Sequence, residues 1–164
     1  MKVKGFTLIE ILIGLFVLSV IITTLASLAV WLLRSNMRIR VETEVLENAQ
    51  SAMQRIVYEI REAESIYYPT SSSTQLSLET DLYLPEGESF SYIDFFVCGH
   101  SLCFKQEGEP PVSLTSDNVV VNNFNLSYLS TSTPSVQIEL EIGHSNPQYQ
   151  YSVDFVSTAY LRTY

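Results

Sequence analysis

The sequence predicts an α+β protein in which one long N-terminal helix, apolar in its first half and amphipathic in its second, packs on an antiparallel β-sheet. Three observations carry that expectation. From Phe6 to Leu33 the only ionisable side chain is Glu10. From Val41 to Tyr67 apolar residues recur at helical steps with acidic residues between them. From Leu76 onward the period becomes two, and turn clusters punctuate the chain. With 164 residues, 46% of them hydrophobic, there is room for one membrane segment and one small domain.

The first element is the apolar run. A bilayer core roughly 30 Å thick needs a helix of about 20 apolar residues, so residues 6–33 read as a transmembrane segment. A secretory signal peptide competes with that reading, but its apolar region usually spans about 7–15 residues before a small-residue cleavage site. Here the run is much longer, and Ala26–Ala29 is a weak cleavage candidate. The flanks leave orientation open, because Lys2 and Lys4 precede the run while Arg34, Arg38 and Arg40 follow it.

The helix then continues on an apolar stripe of Val41, Val45, Ala49, Ala52, Met53, Ile56, Ile60, Ala63 and Tyr67, with Glu42, Glu44, Glu47, Glu59 and Glu62 between them. No Pro or Gly interrupts the chain between Gly14 and Pro69, so both halves can form one helix reaching about Ile66. Residues 34–67 are thus read as its amphipathic continuation, ended by Pro69 and TSSST. Residues 68–164 form the sheet domain. Its expected strands are LSL, LYL, YIDFFV, LCFK, VVVNNFNLSYL, SVQIELEI and YQYSVDFVSTAYL, separated by PEGES, GEPP, STSTPS and HSNPQ. In SVQIELEI, Val136, Ile138, Leu140 and Ile142 face one side and Gln137, Glu139 and Glu141 the other, the pattern of a sheet with one covered face. The stripe of the long helix is the expected cover.

The two cysteines, Cys98 and Cys103, flank a tight turn between two strands. A disulfide across that hairpin is the economical reading, and it places the domain in an oxidising, non-cytoplasmic compartment. Two reduced, half-buried thiols are the alternative. A metal site built from Cys98, Cys103, His100 and His144 lacks a second ligand pair at zinc spacing.

No motif in the chain supplies an active site, and the chain is expected to be no enzyme and to need no cofactor or metal. His100 and His144 lie in turns outside any nucleophile, metal or phosphate motif. Of the paired carboxylates, Glu86 and Glu88 sit in a turn, and Glu139 and Glu141 on the wet face of a strand, as ordinary solvated surface. Asp117 and Asn118 beside Ser116 leave a calcium shell incomplete. Asn125 in NLS fits a glycosylation sequon, a pattern common by chance. After Arg40 four basic residues face 17 acidic ones, a net of −13, so phosphate is repelled and no nucleic acid is expected to bind directly. The acidity suits an exported surface or contact with basic partners.

Glu10 remains. A carboxylate within a membrane span costs several kcal/mol unless paired, and reads as functional. A cut after Gly5 would create an amino terminus at Phe6, a cation that a neighbouring subunit can present to Glu10. The alternative places Glu10 at headgroup level. Lys4-Gly5-Phe6-Thr7-Leu8-Ile9-Glu10, followed by an uncharged helix, resembles the prepilin signature of type IV pilins and type II secretion pseudopilins. That resemblance, confined to about the first 30 residues, implies a pilin-like fold and a leader of residues 1–5. It implies cleavage between Gly5 and Phe6 by prepilin peptidase, N-methylation of Phe6, and a role for Glu10 in docking subunits. It also implies a leader inside the cell, a globular domain outside, and partners in the bilayer, the inner-membrane assembly platform and other pilin or pseudopilin subunits.

The helix VETEVLENAQSAMQRIVYEIREAESI, the strand VVVNNFNLSYL and the closing SVDFVSTAYLR with Arg162 resemble in layout the minor subunits pseudopilin J and pilin W, which initiate or cap filaments. Major pilins often carry a helix-loosening proline midway along the anchor, where this chain has Ser27, which favours a minor subunit. A major pilin, a pilus-displayed adhesin or uptake module, and a single-pass anchored domain outside any filament are the alternatives.

Overall fold

The computed structural model describes residues 7–84, 87–130, 134–148 and 150–161. The chain divides into two compact units, Met1–Arg40 and Val41–Tyr164, and one helix, α1 (Leu8–Glu62), supplies residues to both.

In the first unit α1 begins where the Thr7 carbonyl accepts hydrogen bonds from the Glu10 and Ile11 amides, at 3.1 and 3.3 Å. Every side chain from Thr7 to Arg34 is exposed, including Phe16 and Trp31. Four hydroxyls on this surface are satisfied within the helix: Ser19 donates to the Phe16 carbonyl, Thr23 to that of Ser19, Thr24 to that of Val20 and Ser27 to that of Thr24. Apolar surroundings demand such internal satisfaction, since no water is there to replace it.

The second unit joins the rest of α1 to two antiparallel sheets. The first sheet has the order β1 (Ser65–Ile66), β2 (Gln75–Thr80), β3 (Ser91–Cys98), β4 (Ser101–Gln106) and β5 (Val112–Ser113). The second comprises β6 (Val119–Ser130), β7 (Pro134–His144) and β8 (Ser152–Tyr160). Within each sheet, strands adjacent in sequence are adjacent in space, as short connections favour. The sheets meet where the Val121 amide donates to the His100 carbonyl and the Leu126 amide to that of Ser73, both at 2.8 Å. Val45, Ala49, Ala52, Ile56 and Ile60 from α1 share one core with Leu76, Leu78, Ile93, Phe95, Leu102, Ile138, Leu140 and Ile142. The α+β architecture and the helix as cover therefore stand as the periodicities predicted.

Several local expectations change. α1 ends at Glu62, short of Ile66, because Ser65–Ile66 pairs with Glu79 and Leu78 instead; the sheet so begins before Pro69. Burying Ile66 beside Leu78 gives it the same apolar cover without another helical turn. Leu82–Leu84 forms no strand, and Tyr83 has a φ of 62° that breaks extended pairing. One sheet becomes two. The expected strand at 119–129 carries a bulge: Val121 pairs with Ile142 and Asn123 with Glu141, leaving Asn122 as the extra residue. Before it Val119 and Val121 point inward; after it Phe124 and Leu126 do. An inserted residue flips the alternation, so both apolar sets reach the same core.

Candidate functional site

Glu10 lies in the first turn of α1, where the free amide dipoles favour a negative charge. It is exposed on a surface otherwise made of Leu8, Ile9, Ile11, Leu12 and Ile13, and no cation among the described residues pairs with it. The eighteen-residue apolar window of this helix has a mean hydropathy of 2.6 and none of it is buried within the chain. Such a surface needs a bilayer or neighbouring helices to cover it. The expected cleavage residues, Gly5 and Phe6, lie outside the described residues, as does Arg162.

Cys98 and Cys103 are joined in a disulfide, with Cα atoms 5.8 Å apart. The β3–β4 hairpin brings them together: Cys98 pairs with Ser101 and Phe96 with Cys103. The two-residue turn between the strands starts at Gly99, whose φ of 66° a glycine adopts without strain. No group of three or more His, Cys, Asp or Glu among the described residues is placed to hold a metal ion. Asn118, weighed as a calcium ligand, donates to Glu44 Oε1 at 2.8 Å, and Asn125 to Glu139 Oε2 at 3.3 Å. Glu139 and Glu141 are half-exposed and Glu88 is exposed, while Glu86 lies outside the described residues.

One cluster escaped the sequence reading. Glu59, expected on the polar face, is 1% exposed. Arg55, one turn earlier, approaches its Oε1 to 2.7 Å, and the Tyr83 hydroxyl donates to the same oxygen at 3.2 Å. Glu59 Oε2 is buried without a partner. The Arg55 guanidinium also donates to the Tyr83 oxygen at 3.1 Å and stacks 5.0 Å above the Phe104 ring. Burial holds the Glu59 carboxyl above its ordinary value, opposed by Arg55 and by the Tyr83 hydrogen bond. Tyr83 is raised by burial first and then by Glu59. The signal was present: Ala52, Ile56, Glu59 and Ala63 recur at helical steps, so Glu59 belongs to the stripe. The cluster ties α1 to the β2–β3 loop, and nothing in it offers an open position for a substrate.

Compared with known proteins, residues 1–26 match the prokaryotic N-terminal methylation motif. No curated protein and no solved structure matches the chain. That motif implies cleavage by prepilin peptidase and assembly with other pilins, and together with the exposed apolar helix it indicates anchoring in a membrane. The chain thus begins with a type IV pilin-like prepilin signal, which supports its placement with the pilins and pseudopilins.

Proposed function

We propose that this chain is a minor pilin or pseudopilin, a non-enzymatic subunit that initiates or caps a type IV pilus or type II secretion pseudopilus, in the manner of the pseudopilin J and pilin W group. Prepilin peptidase cleaves between Gly5 and Phe6 and the new amine is methylated. The mature helix anchors in the inner membrane with the leader on the cytoplasmic side and the disulfide-bearing domain on the oxidising side. The observation that carries the reading is the lone Glu10 on the exposed apolar first stretch of α1, within the matched processing motif. In low dielectric that carboxylate gains most from a cation such as the amine of an adjacent subunit.

The testing experiment is the intact mass of the protein purified from membranes of hosts with and without prepilin peptidase. A mature chain starting at methylated Phe6 only in the first host supports the reading; retention of Met1–Gly5 in both overturns it. Glu10→Ala is expected to insert normally and to enter filaments about tenfold less, the loss of one favourable buried pair. Unimpaired incorporation removes the docking role.

A further inference from the structure

Among the described residues, the outer edge of β8 is open. The His144 amide donates to the Tyr151 carbonyl and the Leu161 amide to that of Pro134, and the β7–β8 register runs without a bulge from Gly143↔Ser152 to Ser135↔Tyr160. Antiparallel pairing alternates hydrogen-bonded and non-bonded pairs. The odd-numbered residues 151–161 therefore bond to β7, and the amides and carbonyls of Ser152, Asp154, Val156, Thr158 and Tyr160 point away from it. β8 lies at the end of its sheet, so among the described residues these groups have no strand beside them. The strand SVDFVSTAY holds no Lys or Pro, the residues that usually protect an edge from pairing.

Two features define what fits there. On the helix side, Met53, Val57, Tyr58 and Arg61 of α1 and Ser157 of β8 line a groove of about 460 Å³ at the edge. Every second side chain of an added strand would enter it. On the opposite face, Asp154 stands across from Glu141, and Glu139 across from Val156. None of β6, β7 and β8 carries a Lys or Arg. The remaining side chains of an added strand would line up directly beside Asp154, within cross-strand reach, while Glu139 and Glu141, held by Asn125 and Asn122, stand one strand further on β7 and add a longer-range negative field.

We propose that the β8 edge accepts an extended, basic segment of another protein, one that alternates Lys or Arg with apolar residues and extends the sheet by one strand. A second copy of this chain is a poor occupant, because both copies would bring the same acidic row to the junction.

The test uses the full chain in detergent micelles and a seven-residue peptide alternating Lys and Val. Amide exchange at Asp154, Val156 and Thr158 is expected to slow about tenfold on binding. The same peptide N-methylated at alternate residues, and one alternating Glu and Val, are expected to leave it unchanged. No slowing, or equal slowing by either control, overturns the proposal, as does concentration-dependent dimerisation that protects the same amides. Val156→Pro removes an outward N–H that the β7 ladder does not use and should weaken peptide binding about tenfold. Asp154→Lys, an exposed change that leaves packing intact, should weaken the Lys peptide and strengthen the Glu peptide. Unchanged preference in Asp154→Lys overturns the charge assignment whatever the proline variant does.

Discussion

The two stretches of α1 obey opposite rules. Between Leu8 and Leu33 apolar residues occupy every face and all are exposed; from Val45 to Ile60 the stripe of Val45, Ala49, Ala52, Met53, Ile56 and Ile60 is buried, with Tyr58 off it half-exposed. Each stretch also holds a carboxylate in apolar company. Among the described residues Glu10 has no cation, whereas Glu59 has Arg55 and Tyr83. A helix buried by its own domain needs apolar residues only where the sheet lies, and supplies partners for its buried charge from nearby. One buried by lipid or other subunits needs them all round, and leaves its charge to be met from outside.

The contrast is sharpest in core truncation. Ile56 is fully buried, and Ile56→Ala is expected to destabilise the second unit by about 3 kcal/mol. Ile22→Ala, at a position 56% exposed, should change the same unfolding by less than about 0.5 kcal/mol. Denaturant unfolding of the micelle-bound chain, followed by near-ultraviolet circular dichroism, measures both. Equal effects would break the division between the stretches.

The charge cluster comes next. Arg55→Ala should cost about 2 kcal/mol at neutral pH; the 38% exposure of Arg55 keeps this below the full cost of orphaning a buried charge. Because the folded state raises the Glu59 carboxyl, it binds that proton more tightly than the unfolded chain. The resulting stabilisation is complete below the unfolded value near 4.5 and is lost as pH rises through the raised folded value. The Arg55→Ala defect is therefore largest at neutral pH and shrinks on acidification, and adding Glu59→Gln should restore most of it. A pH-independent defect would place the effect of Arg55 in its packing on Phe104.

Cys98→Ser with Cys103→Ser is expected to remove about 2 kcal/mol, since the bond closes a short loop. Alkylation with and without reductant, read by mass, checks the bond itself. Within the second unit the smallest change is Asn48→Ala. Asn48 Oδ1 accepts from the Ser116 amide at 2.8 Å, so its loss should cost about 1 kcal/mol by the same unfolding measurement.

Much of this was legible in the chain because local periodicity reports what covers each segment. The stripe from Val45 to Ile60, the alternation in Val136–Ile142 and the hairpin between Cys98 and Cys103 all follow from spacing alone. Other features depend on distant partners. Ser65–Ile66 and Val112–Ser113 are too short to show a period, and pair because β2 and β4 lie beside them. Glu59 sits on the apolar stripe in plain view, yet a glutamate there reads as surface until Arg55, Tyr83 and Phe104 are seen around it.

The sequence by itself determined the apolar run, its one carboxylate, the processing motif ahead of it, and the change of period that separates helix from sheet, because each is a property of neighbours along the chain. Tertiary structure decided the split into two sheets, the bulge at Asn122 that rephases β6, the burial of Glu59, and the edge that β8 leaves open. Each of these depends on which distant strand or helix comes to lie alongside, and strand pairing and shared burial, rather than local preference, set that choice.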